Sequence, residues 1–360
     1  MSDVLIVGAG IAGMLTAVEL ADRGFSVRLL DDPVAHPPAS WAGGGILSPL
    51  FPWRYPPALL PLTRHAFADY QMLSARIVAA GGIDPEVDRG GMLVLDDPDP
   101  ALIRDWAERS GEPVHQGRAS DYLPWQGEQA AVWLPGIGRI RNPRLLKGLR
   151  HLLAVSAIPV LPLAASRIQL ADRGVEVVTP AGVLRADRVV VTAGALSARL
   201  LPEGIDTGIH PVRGQMLLYR PEQPLPEAVV LAAEGYLIPR RDGYLLVGST
   251  VEPGIDDSVP TALAQQQLCD RAAQLWPLLA DHTPVAQWAG IRPGSRRPLP
   301  WIGEVPGSGG RLWLNSGHFR NGLVCGPGSA RLLARLMCGE PSDCDPAAYA
   351  LPSSSSSSPP

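Results

Sequence analysis

A glycine-rich turn between two apolar segments constrains the fold more than any other feature of this sequence. The apolar run 4–7 predicts a buried strand, the helical spacing of apolar side chains over 11–23 predicts a helix, and the apolar run 25–30 predicts a second strand. A strand, a helix and a strand in this order form a βαβ unit with parallel strands. The stretch 3–32 therefore predicts an α/β domain that is built on a parallel sheet.

The turn has the pattern G-x-G-x-x-G, formed by Gly8, Gly10 and Gly13. The first glycine permits a tight turn, the second lets the backbone approach a pyrophosphate, and the third lets the helix pack closely on the strand. The start of the helix, at Ile11 and Ala12, offers free N–H groups and the positive end of the helix dipole to phosphates. The pattern therefore predicts a dinucleotide-binding turn.

An acidic pair after the second strand supports the same interpretation. Asp31 lies 18 residues after Gly13 (31 − 13), where a carboxylate can accept hydrogen bonds from ribose hydroxyls, and Asp32 follows it. The alternative is a glycine-rich turn in an ordinary α/β domain. The strand before the turn, the helix after it and the acid beyond it favour the dinucleotide site.

Length and composition limit the class of protein. A chain of 360 residues exceeds one compact core, so two domains are expected. The net charge of −4 argues against a nucleic-acid partner and against an anionic membrane surface. The apolar stretch 4–18 is too short to span a bilayer and lacks a basic leader, so no membrane insertion is expected.

The cysteines and the tail add two further expectations. The four cysteines form no C-x-x-C pair and no cluster with histidine, which favours free thiols in a reducing cytoplasm and argues against a metal site. The Ser- and Pro-rich tail, 351–360, has low complexity and is expected to be disordered.

Three consecutive glycines stand inside an apolar segment. Gly43, Gly44 and Gly45 follow Ser40 and Ala42. Glycine presents backbone N–H groups without a side chain in the way, which suits the edge of a planar ring that carries carbonyl and nitrogen acceptors. The alternative is a flexible linker, which would leave neighbouring apolar side chains exposed. We therefore expect this segment to contact such a ring.

An apolar, β-branched run at 187–191 leads into a turn of small residues that includes Ala193 and Gly194. The run predicts a strand. Two interpretations of the turn remain open. The strand can return to the first sheet, with Gly194 beside the dinucleotide, or it can be a structural crossover without ligand contact.

The remaining patterns divide into helices, strands and loops. The predicted helices are 63–80, 100–110, 144–155, 260–279 and 329–338. The predicted strands are 91–96, 166–170, 175–179, 183–186, 212–220, 229–232, 236–239 and 244–249, of which the last four predict an antiparallel sheet in a second domain. The stretch 288–303, with Arg292, Arg296 and Arg297, is interpreted as a loop, and 316–322 as a polar turn before the last helix.

In this order, the motifs resemble those of the flavin-dependent amino-acid oxidases of the D-amino-acid oxidase superfamily, most closely the glycine oxidases of the thiamin pathway. The resemblance covers approximately residues 3–336. The segments that carry it are VGAGIAG (7–13), ASWAGGGILSPL (39–50), RIRNPRLL (139–146), ADRVVVTAGALS (186–197), PVRGQM (211–216), YLIPRRDGYLLVGST (236–250), AGIRPGSRRPLP (289–300) and GHFRNGL (317–323). Single segments are common among flavoproteins, whereas their order is specific.

The resemblance implies the fold class and its domains. We expect an α/β fold with an α+β second domain, in which an FAD-binding Rossmann-like domain is interleaved with an antiparallel-sheet substrate domain, as in p-hydroxybenzoate hydroxylase. The expected FAD-binding segments are 1–85, 140–208 and 286–350. The expected substrate-domain segments are 86–139 and 209–285.

The resemblance also assigns the site. Arg292 would pair with the substrate carboxylate, Tyr236 would line the pocket, and Arg320 would lie at the flavin side. An arginine suits a planar carboxylate because its guanidinium can bind both oxygens. Without the resemblance, Arg292 would be interpreted as a surface-loop arginine. The residues expected at the FAD are Gly8, Gly10, Ile11, Ala12, Gly13, Asp31 at the ribose, Asp32, Ser40, Ala42, Gly43, Gly44, Gly45, Ala193, Gly194, His318, Arg320, Asn321, Gly322 and Leu323.

Two departures from the family concern the pocket and the flavin linkage. Ile46 and Val251 stand where glycine oxidases can carry methionine beside the pocket, which leaves open the choice between glycine, sarcosine and larger D-amino acids. Related sarcosine oxidases attach the flavin through a cysteine shortly after the carboxylate arginine. Here Pro293, Gly294 and Ser295 follow, so we expect non-covalent FAD.

The implied reaction is the oxidative deamination of glycine, sarcosine or a small D-amino acid, by hydride transfer from the α-carbon to flavin N5. The imino acid would hydrolyse to a 2-oxo acid and an amine or ammonia, and O2 would reoxidise the flavin to give H2O2. The glycine imine could also supply thiazole synthesis in the thiamin pathway. His318 is a candidate base, although a histidine packed in a turn is the simpler interpretation, and no compulsory acid–base residue is expected.

Two other activities remain open at this stage. One is a D-amino-acid dehydrogenase that passes electrons to a quinone, and the other is an FAD oxidoreductase that modifies a tRNA uridine, against which the acidic net charge argues. The sequence also leaves the oligomeric state open, with a homo-oligomer as one option.

Overall fold

The fold is given by a computed structural model that describes residues 3–32, 38–95, 99–123, 126–222, 225–233 and 235–352. The strands are β1 (Asp3–Val7), β2 (Ser26–Leu30), β3 (Met92–Val94), β4 (His115–Arg118), β5 (Ala130–Leu134), β6 (Val160–Leu161), β7 (Arg167–Leu170), β8 (Val175–Thr179), β9 (Gly182–Ala186), β10 (Arg188–Val191), β11 (His210–Tyr219), β12 (Val229–Ala232), β13 (Gly235–Pro239), β14 (Leu245–Gly248), β15 (Glu252–Pro253), β16 (Ala286–Gly294), β17 (Trp301–Glu304) and β18 (Leu312–Ser316).

Helices connect and cover these strands. The α-helices are α1 (Ile11–Ala21), α2 (Ala39–Ala42), α3 (Leu60–Thr63), α4 (Ala66–Ala79), α5 (Pro100–Ser110), α6 (Asn142–Val155), α7 (Ala262–Leu275) and α8 (Gly326–Cys338). The short 3₁₀ helices are Pro52–Arg54, Pro57–Leu59, Ala119–Asp121, Gly194–Leu200, Pro277–Leu279, Phe319–Asn321 and Pro346–Tyr349.

The first sheet is mostly parallel and has the strand order β17-β18-β10-β1-β2-β6. Alternate side chains of β1 are buried on opposite faces, as expected for a central parallel strand. Val4 and Ile6 pack into a core that contains residues of α1, α6 and α8. Leu5 and Val7 pack on the other face, in a core that also contains residues of the antiparallel strands β7 and β8. The sheet therefore lies between a layer of helices and the three-stranded sheet β7-β8-β9.

The strand after residue 187 returns to this first sheet. β10 pairs in parallel with β1 on one side and with β18 on the other. The first of the two interpretations is therefore confirmed for the strand itself. The carboxyl ends of β1, β10 and β18 meet at one edge of the sheet, which is where ligands bind in open α/β sheets.

The second sheet is mostly antiparallel, with the order β15-β11-β14-β13-β12-β3-β5-β4, and β16 pairs with β11 beside this path. Successive side chains on its strands also lie on opposite faces of the sheet. Leu237 and Val247 pack on the face that α7 covers, together with Leu268 of that helix. Tyr236 and Ile238 point to the opposite face. The predicted fold class, a Rossmann-like parallel sheet with an antiparallel second sheet, is confirmed.

The interpretation of 288–303 as a loop is wrong. Residues 286–294 form β16, a nine-residue strand in which Arg292 lies opposite Val212 of β11, and residues 301–304 form β17. The sequence of β16 contains two glycines and Pro293, which weaken a strand pattern. β16 tolerates a proline because, among the residues that the structure describes, it pairs only with β11 and has one edge without ladder hydrogen bonds. Arg292 therefore stands on a strand.

One strand lies across an expected domain boundary. β16 falls in the segment 286–350, which was expected in the FAD-binding domain, and it pairs with β11 of the second sheet. Leu351, the first residue of the expected tail, is buried in the core that contains Leu5 and Val7. Residues 353–360 of this tail lie outside the described residues.

Two further properties concern helices and thiols. Within the described segments, no helix is both long and apolar enough to cross a membrane. The four cysteines are free thiols, as the sequence predicts, and Cys325 is fully buried whereas Cys338 is exposed.

Candidate functional site

A cavity of about 760 Å³ opens at the edge where the two sheets meet. Its wall includes Tyr236 of β13, Arg292 of β16 and Asn315 of β18, and hence strands of both sheets. The site residues predicted from the sequence that lie on this wall are Gly8, Gly10, Ile11, Ala12, Asp31, Asp32, Ser40, Gly43, Gly44, Gly45, Ile46, Ala193, Gly194, Tyr236, Arg292, His318, Arg320, Gly322 and Leu323.

Four predicted residues do not belong to the wall. Gly13 and Asn321 are packed behind it, and Ala42 is buried at the end of α2, where its carbonyl accepts a hydrogen bond from Trp288. Val251, which was expected in the substrate pocket, is 40% exposed to solvent. Ser249, two residues earlier in the same segment, lines the cavity instead.

The glycine turn after β1 is as tight as its sequence predicts. Gly8 has a φ of +109°, which favours glycine, and a Cβ at Gly13 would lie 1.9 Å from the carbonyl oxygen of Gly8. Only a glycine at position 13 lets α1 approach the strand this closely. At Gly10, a Cβ would meet the Ser40 hydroxyl at 3.3 Å. The Ser40 hydroxyl also accepts a hydrogen bond from the backbone N–H of Ile11, at 3.1 Å.

The acidic end of the cavity contains a partner that the sequence did not indicate. Asp31, after β2, accepts a hydrogen bond of 2.6 Å from Arg150 of α6, and both residues line the cavity. Both side chains are substantially exposed, so this ion pair lies in a high-dielectric environment. No local motif could reveal Arg150, because it is separated from Asp31 by 119 residues.

Packing constrains the three glycines after α2, most strongly at Gly45, where the clash would be with backbone. A Cβ at Gly43 would lie 3.0 Å from the amide nitrogen of Asn142, and one at Gly45 would lie 2.0 Å from the carbonyl oxygen of Ile140. At Gly44, a Cβ would meet Ile238 at 2.7 Å. The missing side chains thus make room on the protein side of the segment. The flexible-linker alternative is wrong, because the segment is fixed between its neighbours and the cavity.

The other glycine-containing turns are held by serines. Ser316 donates a hydrogen bond of 3.1 Å to the carbonyl of Gly194, and Ser197 donates one of 2.9 Å to Ser316. Gly194 has a φ of +58°, and a Cβ there would meet no protein atom within 4 Å. Gly194 therefore leaves a stretch of backbone on the wall uncovered by any side chain.

Three buried polar side chains on the wall have atoms without a hydrogen-bond partner in the described part of the chain. They are Oδ1 of Asn142, Oδ1 of Asn315 and Nε2 of His318. Burial lowers the pKa of His318 to about 4, so its imidazole is neutral at neutral pH. This favours the interpretation of His318 as a packed neutral histidine over that of a base.

Arg292 is held in the cavity wall by its backbone neighbours. Its Nη2 donates to the Ser249 hydroxyl at 2.8 Å, and its Nη1 donates to the carbonyl of Thr250 at 3.1 Å. The guanidinium lies flat over Gly214 of β11, where a Cβ would be 1.9 Å from Nη1. Gly214 and Ser249 are functional residues that sequence reasoning missed, although both lie within the segments that carry the family resemblance.

Arg292 forms no ion pair with a carboxylate in the described part of the chain. Desolvation lowers its pKa, and the nearby charge of Arg320 lowers it further, whereas Tyr236 and Glu252 raise it. In the described part of the chain, the hydrogen bonds of its guanidinium go to backbone carbonyls and a hydroxyl, and it forms no ion pair. A desolvated arginine in a cavity is suited to bind an anionic group, and a carboxylate matches its planar geometry.

Arg213 on the neighbouring strand β11 contrasts with Arg292, because it is paired with carboxylates. Arg213 donates to Glu252 at 2.6 Å and to Asp257 at 2.6 Å. Burial alone would lower the pKa of Arg213, but these two carboxylates raise it overall. Arg213 supports the sheet, whereas Arg292 keeps its charge available to the cavity.

Tyr236 and Arg320 are the other two residues that the sequence assigned to the substrate site together with Arg292. Tyr236 is buried, and its hydroxyl lies 3.8 Å from the sulfur of Met216. Arg320 is exposed in the 3₁₀ turn after β18, with its guanidinium 5.4 Å from the ring centre of Phe319. The structure therefore brings Tyr236, Arg292 and Arg320 to one cavity, together with Ile46.

Comparisons with known proteins identify the family of this chain. Residues 3–336 match the family model described as "FAD dependent oxidoreductase". A glycine oxidase of Pseudomonas aeruginosa is 45% identical, over 96% of this chain and 98% of that relative. A bifunctional protein ThiO/ThiG of Synechocystis sp. is 31% identical, over 93% of this chain and 51% of that relative. The crystal structure of a glycine oxidase from Geobacillus kaustophilus matches with a TM-score of 0.89 and 28% identity, over 98% of this chain and 99% of that one.

Proposed function

This chain belongs to the family of FAD-dependent oxidoreductases, and we propose that it oxidises glycine or another small amine and releases hydrogen peroxide. The observation that carries this proposal is Arg292, a desolvated cation that faces the cavity without a carboxylate partner in the described part of the chain. A free amino acid or N-methylglycine supplies such a carboxylate. The glycine oxidases among the relatives support the same substrate class.

The residues on the cavity wall fit FAD. The cavity volume of about 760 Å³ lies within the range of cofactor sites. Gly10 and Ala12 bring backbone to the wall where a pyrophosphate can approach, although the N–H of Ile11 is taken by the Ser40 hydroxyl, and Asp31 presents a carboxylate for ribose hydroxyls. Gly194 leaves open space at the wall, since a Cβ there would meet no protein atom within 4 Å. The segments 43–45 and 317–323 would contact the flavin ring.

FAD, when bound, accepts the hydride of the substrate α-carbon and passes the electrons to O2. The task of the chain is to hold the substrate in a reactive orientation. Arg292 binds the carboxylate, and its own position is fixed by Ser249 and by the carbonyl of Thr250. Tyr236 closes the pocket beside Arg292, because its ring lies on Gly44 and Gly248.

The chain does not need a dedicated base for this reaction. The amine must be neutral for its lone pair to assist the loss of the hydride, and two nearby cations, Arg292 and Arg320, disfavour an ammonium in the cavity. His318 is neutral and buried, which leaves it available for packing and hydrogen bonding. The proposal therefore assigns proton loss from the amine to solvent before the hydride leaves.

Several narrower assignments accompany this proposal. Ile46 narrows the pocket and favours glycine and sarcosine over larger D-amino acids. FAD is bound non-covalently, because Pro293, Gly294 and Ser295 provide no thiol after Arg292. The bifunctional relative supports a supply of glycine imine to thiazole synthesis.

We also propose a cytoplasmic protein that uses a small amino acid and O2 and binds no nucleic acid. Its domains follow the segments expected from the sequence, with one change. Because β16 belongs to the second sheet, the substrate domain extends from 209 to 294 and the last FAD-binding segment begins at 295.

The experiment is peroxide release by the purified yellow protein with glycine, sarcosine and a panel of D-amino acids. Peroxide with glycine or sarcosine would support the proposal, and peroxide only with larger D-amino acids would move the substrate and keep the reaction. Bleaching of the flavin by an amine without oxygen, but with little peroxide in air, would identify a dehydrogenase that uses another acceptor. The absence of bleaching with every amine would overturn the proposal.

A further inference from the structure

A desolvated arginine outside the cavity wall holds part of that wall in place. Arg240 follows β13, at the turn to β14. Its Nη2 donates a hydrogen bond of 2.7 Å to the carbonyl of Gly44, and its Nη1 donates one of 3.0 Å to the carbonyl of Ile140. The turn belongs to the second sheet, whereas Gly44 and Ile140 lie 196 and 100 residues away in the chain. Arg240 thus joins the antiparallel sheet to the glycine segment.

Arg240 differs from the neighbouring arginines because it has no carboxylate partner in the described part of the chain. Neighbouring arginines bind carboxylates: Arg139 binds Asp88, and Arg141 binds Asp242. In the described part of the chain, Arg240 forms no ion pair, and its two acceptors are neutral carbonyls. Burial lowers the pKa of Arg240 to about 10, and the charges of Arg141 and Arg139 add to this effect. The side chain is therefore a cation at neutral pH, without a carboxylate in contact.

The hydrogen bond from Arg240 to the Gly44 carbonyl also fixes the direction of the next backbone N–H, that of Gly45. The Gly44–Gly45 peptide is trans, since the described chain has its cis bond at Gly248–Ser249. In a trans peptide the N–H points opposite to the C=O. The N–H of Gly45 therefore points away from Arg240, on the side where Gly44 and Gly45 line the cavity. In the described part of the chain, the hydrogen bonds of Gly45 include no acceptor for this N–H.

We propose that Arg240 is a positioning residue that fixes the Gly44–Gly45 peptide with its N–H toward bound FAD, and that its unpaired charge stabilises the negative charge that FAD acquires on reduction. A cation on the carbonyl polarises the peptide and strengthens its N–H as a donor. Fixed donors and charges that face a developing negative charge in a dry site are effective because they need no reorganisation. This inference rests on FAD binding in the proposed function, and it is independent of which amine is oxidised.

The experiment compares three variants of the full-length protein. Arg240→Met removes the charge and both hydrogen bonds, and Arg240→Lys keeps the charge but reaches one carbonyl. Arg241→Met is the matched control, because Arg241 lies in the same turn with an exposed side chain on Asp84. The measurements are the FAD dissociation constant of the apoprotein, by quenching of flavin fluorescence, and the midpoint potential of the bound flavin, by equilibration with a reference dye.

We expect Arg240→Met to weaken FAD binding by about tenfold to a hundredfold, because the charged hydrogen bond to the Gly44 carbonyl is lost. We also expect the midpoint potential to become more negative. Arg240→Lys should restore most of the potential and only part of the affinity, a split that a merely structural role would not produce. Arg241→Met should leave both quantities unchanged.

Wild-type affinity and potential in Arg240→Met would overturn the inference. A weaker affinity with an unchanged potential would overturn its electrostatic part. Should Arg240→Met not fold, Arg240→Lys decides: wild-type affinity contradicts the positioning role, and a midpoint potential clearly more negative than that of the wild type contradicts the role of the charge. A wild-type protein that binds FAD but oxidises no amine would refute the proposed function and leave this test valid.

Discussion

The two sides of the cavity are assembled in different ways. The dinucleotide side is local in the sequence, since β1, the glycine turn, α1 and β2 lie within 32 residues. The amine side is assembled from distant segments: Tyr236 on β13 and Arg292 on β16 face one another, and Gly214 of β11 supports the guanidinium. One side is specified by a continuous motif, and the other by strand pairing.

This difference determines how each side tolerates change. On the dinucleotide side, the close contact is between two backbone segments, and a backbone cannot move aside for an added methyl group. On the amine side, the critical element is a side-chain charge on a sheet that keeps its own hydrogen bonds. We therefore expect substitutions on the first side to affect folding and FAD retention together, and substitutions on the second side to affect substrate binding alone.

The largest effect is expected for Gly13→Ala. The new Cβ would lie 1.9 Å from the carbonyl oxygen of Gly8, so α1 must move away from the strand. Such overpacking costs about 3 kcal/mol or more in the free energy of unfolding, and FAD should be lost on purification. The measurements are the ratio of flavin to protein absorbance and the melting temperature. Gly127→Ala is the control, because a Cβ there meets no atom within 4 Å, its backbone is not in the left-handed region, and FAD should be retained.

The next effect is expected for Arg292→Met. Truncating one partner of a desolvated, hydrogen-bonded charge pair costs about 2–5 kcal/mol, so kcat/KM for glycine should fall by about two to three orders of magnitude. The flavin spectrum and the melting temperature should change little. Arg296→Met is the control, because Arg296 is exposed and paired with Asp206. Equal kinetics in the two variants would remove Arg292 from the substrate site.

A smaller effect is the pH dependence of the free energy of unfolding, which we expect from His318 and not from Arg292. The pKa of His318 falls from its usual 6.5 to about 4 in the folded protein, so the unfolded chain takes up the proton first. The stabilisation from neutral His318 is complete above pH 6.5 and is lost as the pH falls toward 4, by up to about 1.4 kcal/mol per unit. Arg292 remains charged throughout and adds no such dependence. Urea unfolding from pH 4 to 7 should be less pH-dependent in His318→Gln, and identical slopes would contradict this assignment.

The smallest effect is expected for Arg150→Gln. Its ion pair with Asp31 is solvated, with side-chain exposures of 51% and 30%, and such pairs contribute about 0–1 kcal/mol. FAD affinity should change by less than about fivefold, and the difference should vanish at about 0.5 M salt because screening weakens exposed pairs. Titration of the apoprotein with FAD measures this. A loss of a hundredfold would show that Arg150 itself binds the cofactor.

Local signals predicted the secondary structure wherever one segment contained the whole pattern. The helix 100–110 and the strands 175–179 and 229–232 have the predicted bounds. The errors arose where pairing with a distant strand overrides local preference. β16 contains Gly290, Pro293 and Gly294, and it is a strand because the whole of β11 lies beside it. The segment 43–45 was not an error, but its packing was not predictable either, since its neighbours Asn142, Ile140 and Ile238 become known only in the fold.

The sequence by itself determined the βαβ unit, the dinucleotide turn and, through the order of its motifs, the flavin family, because these depend on short spacings or on residue identity. The tertiary structure decided which charges are free. Arg213 and Arg292 are both arginines on paired strands, yet one is neutralised by Glu252 and Asp257 while the other faces the cavity. Arg241 is likewise paired with Asp84, whereas Arg240, behind the cavity wall, donates to neutral carbonyls. Desolvation and the distance to a carboxylate depend on which segments the fold brings together, and residue type alone does not determine them.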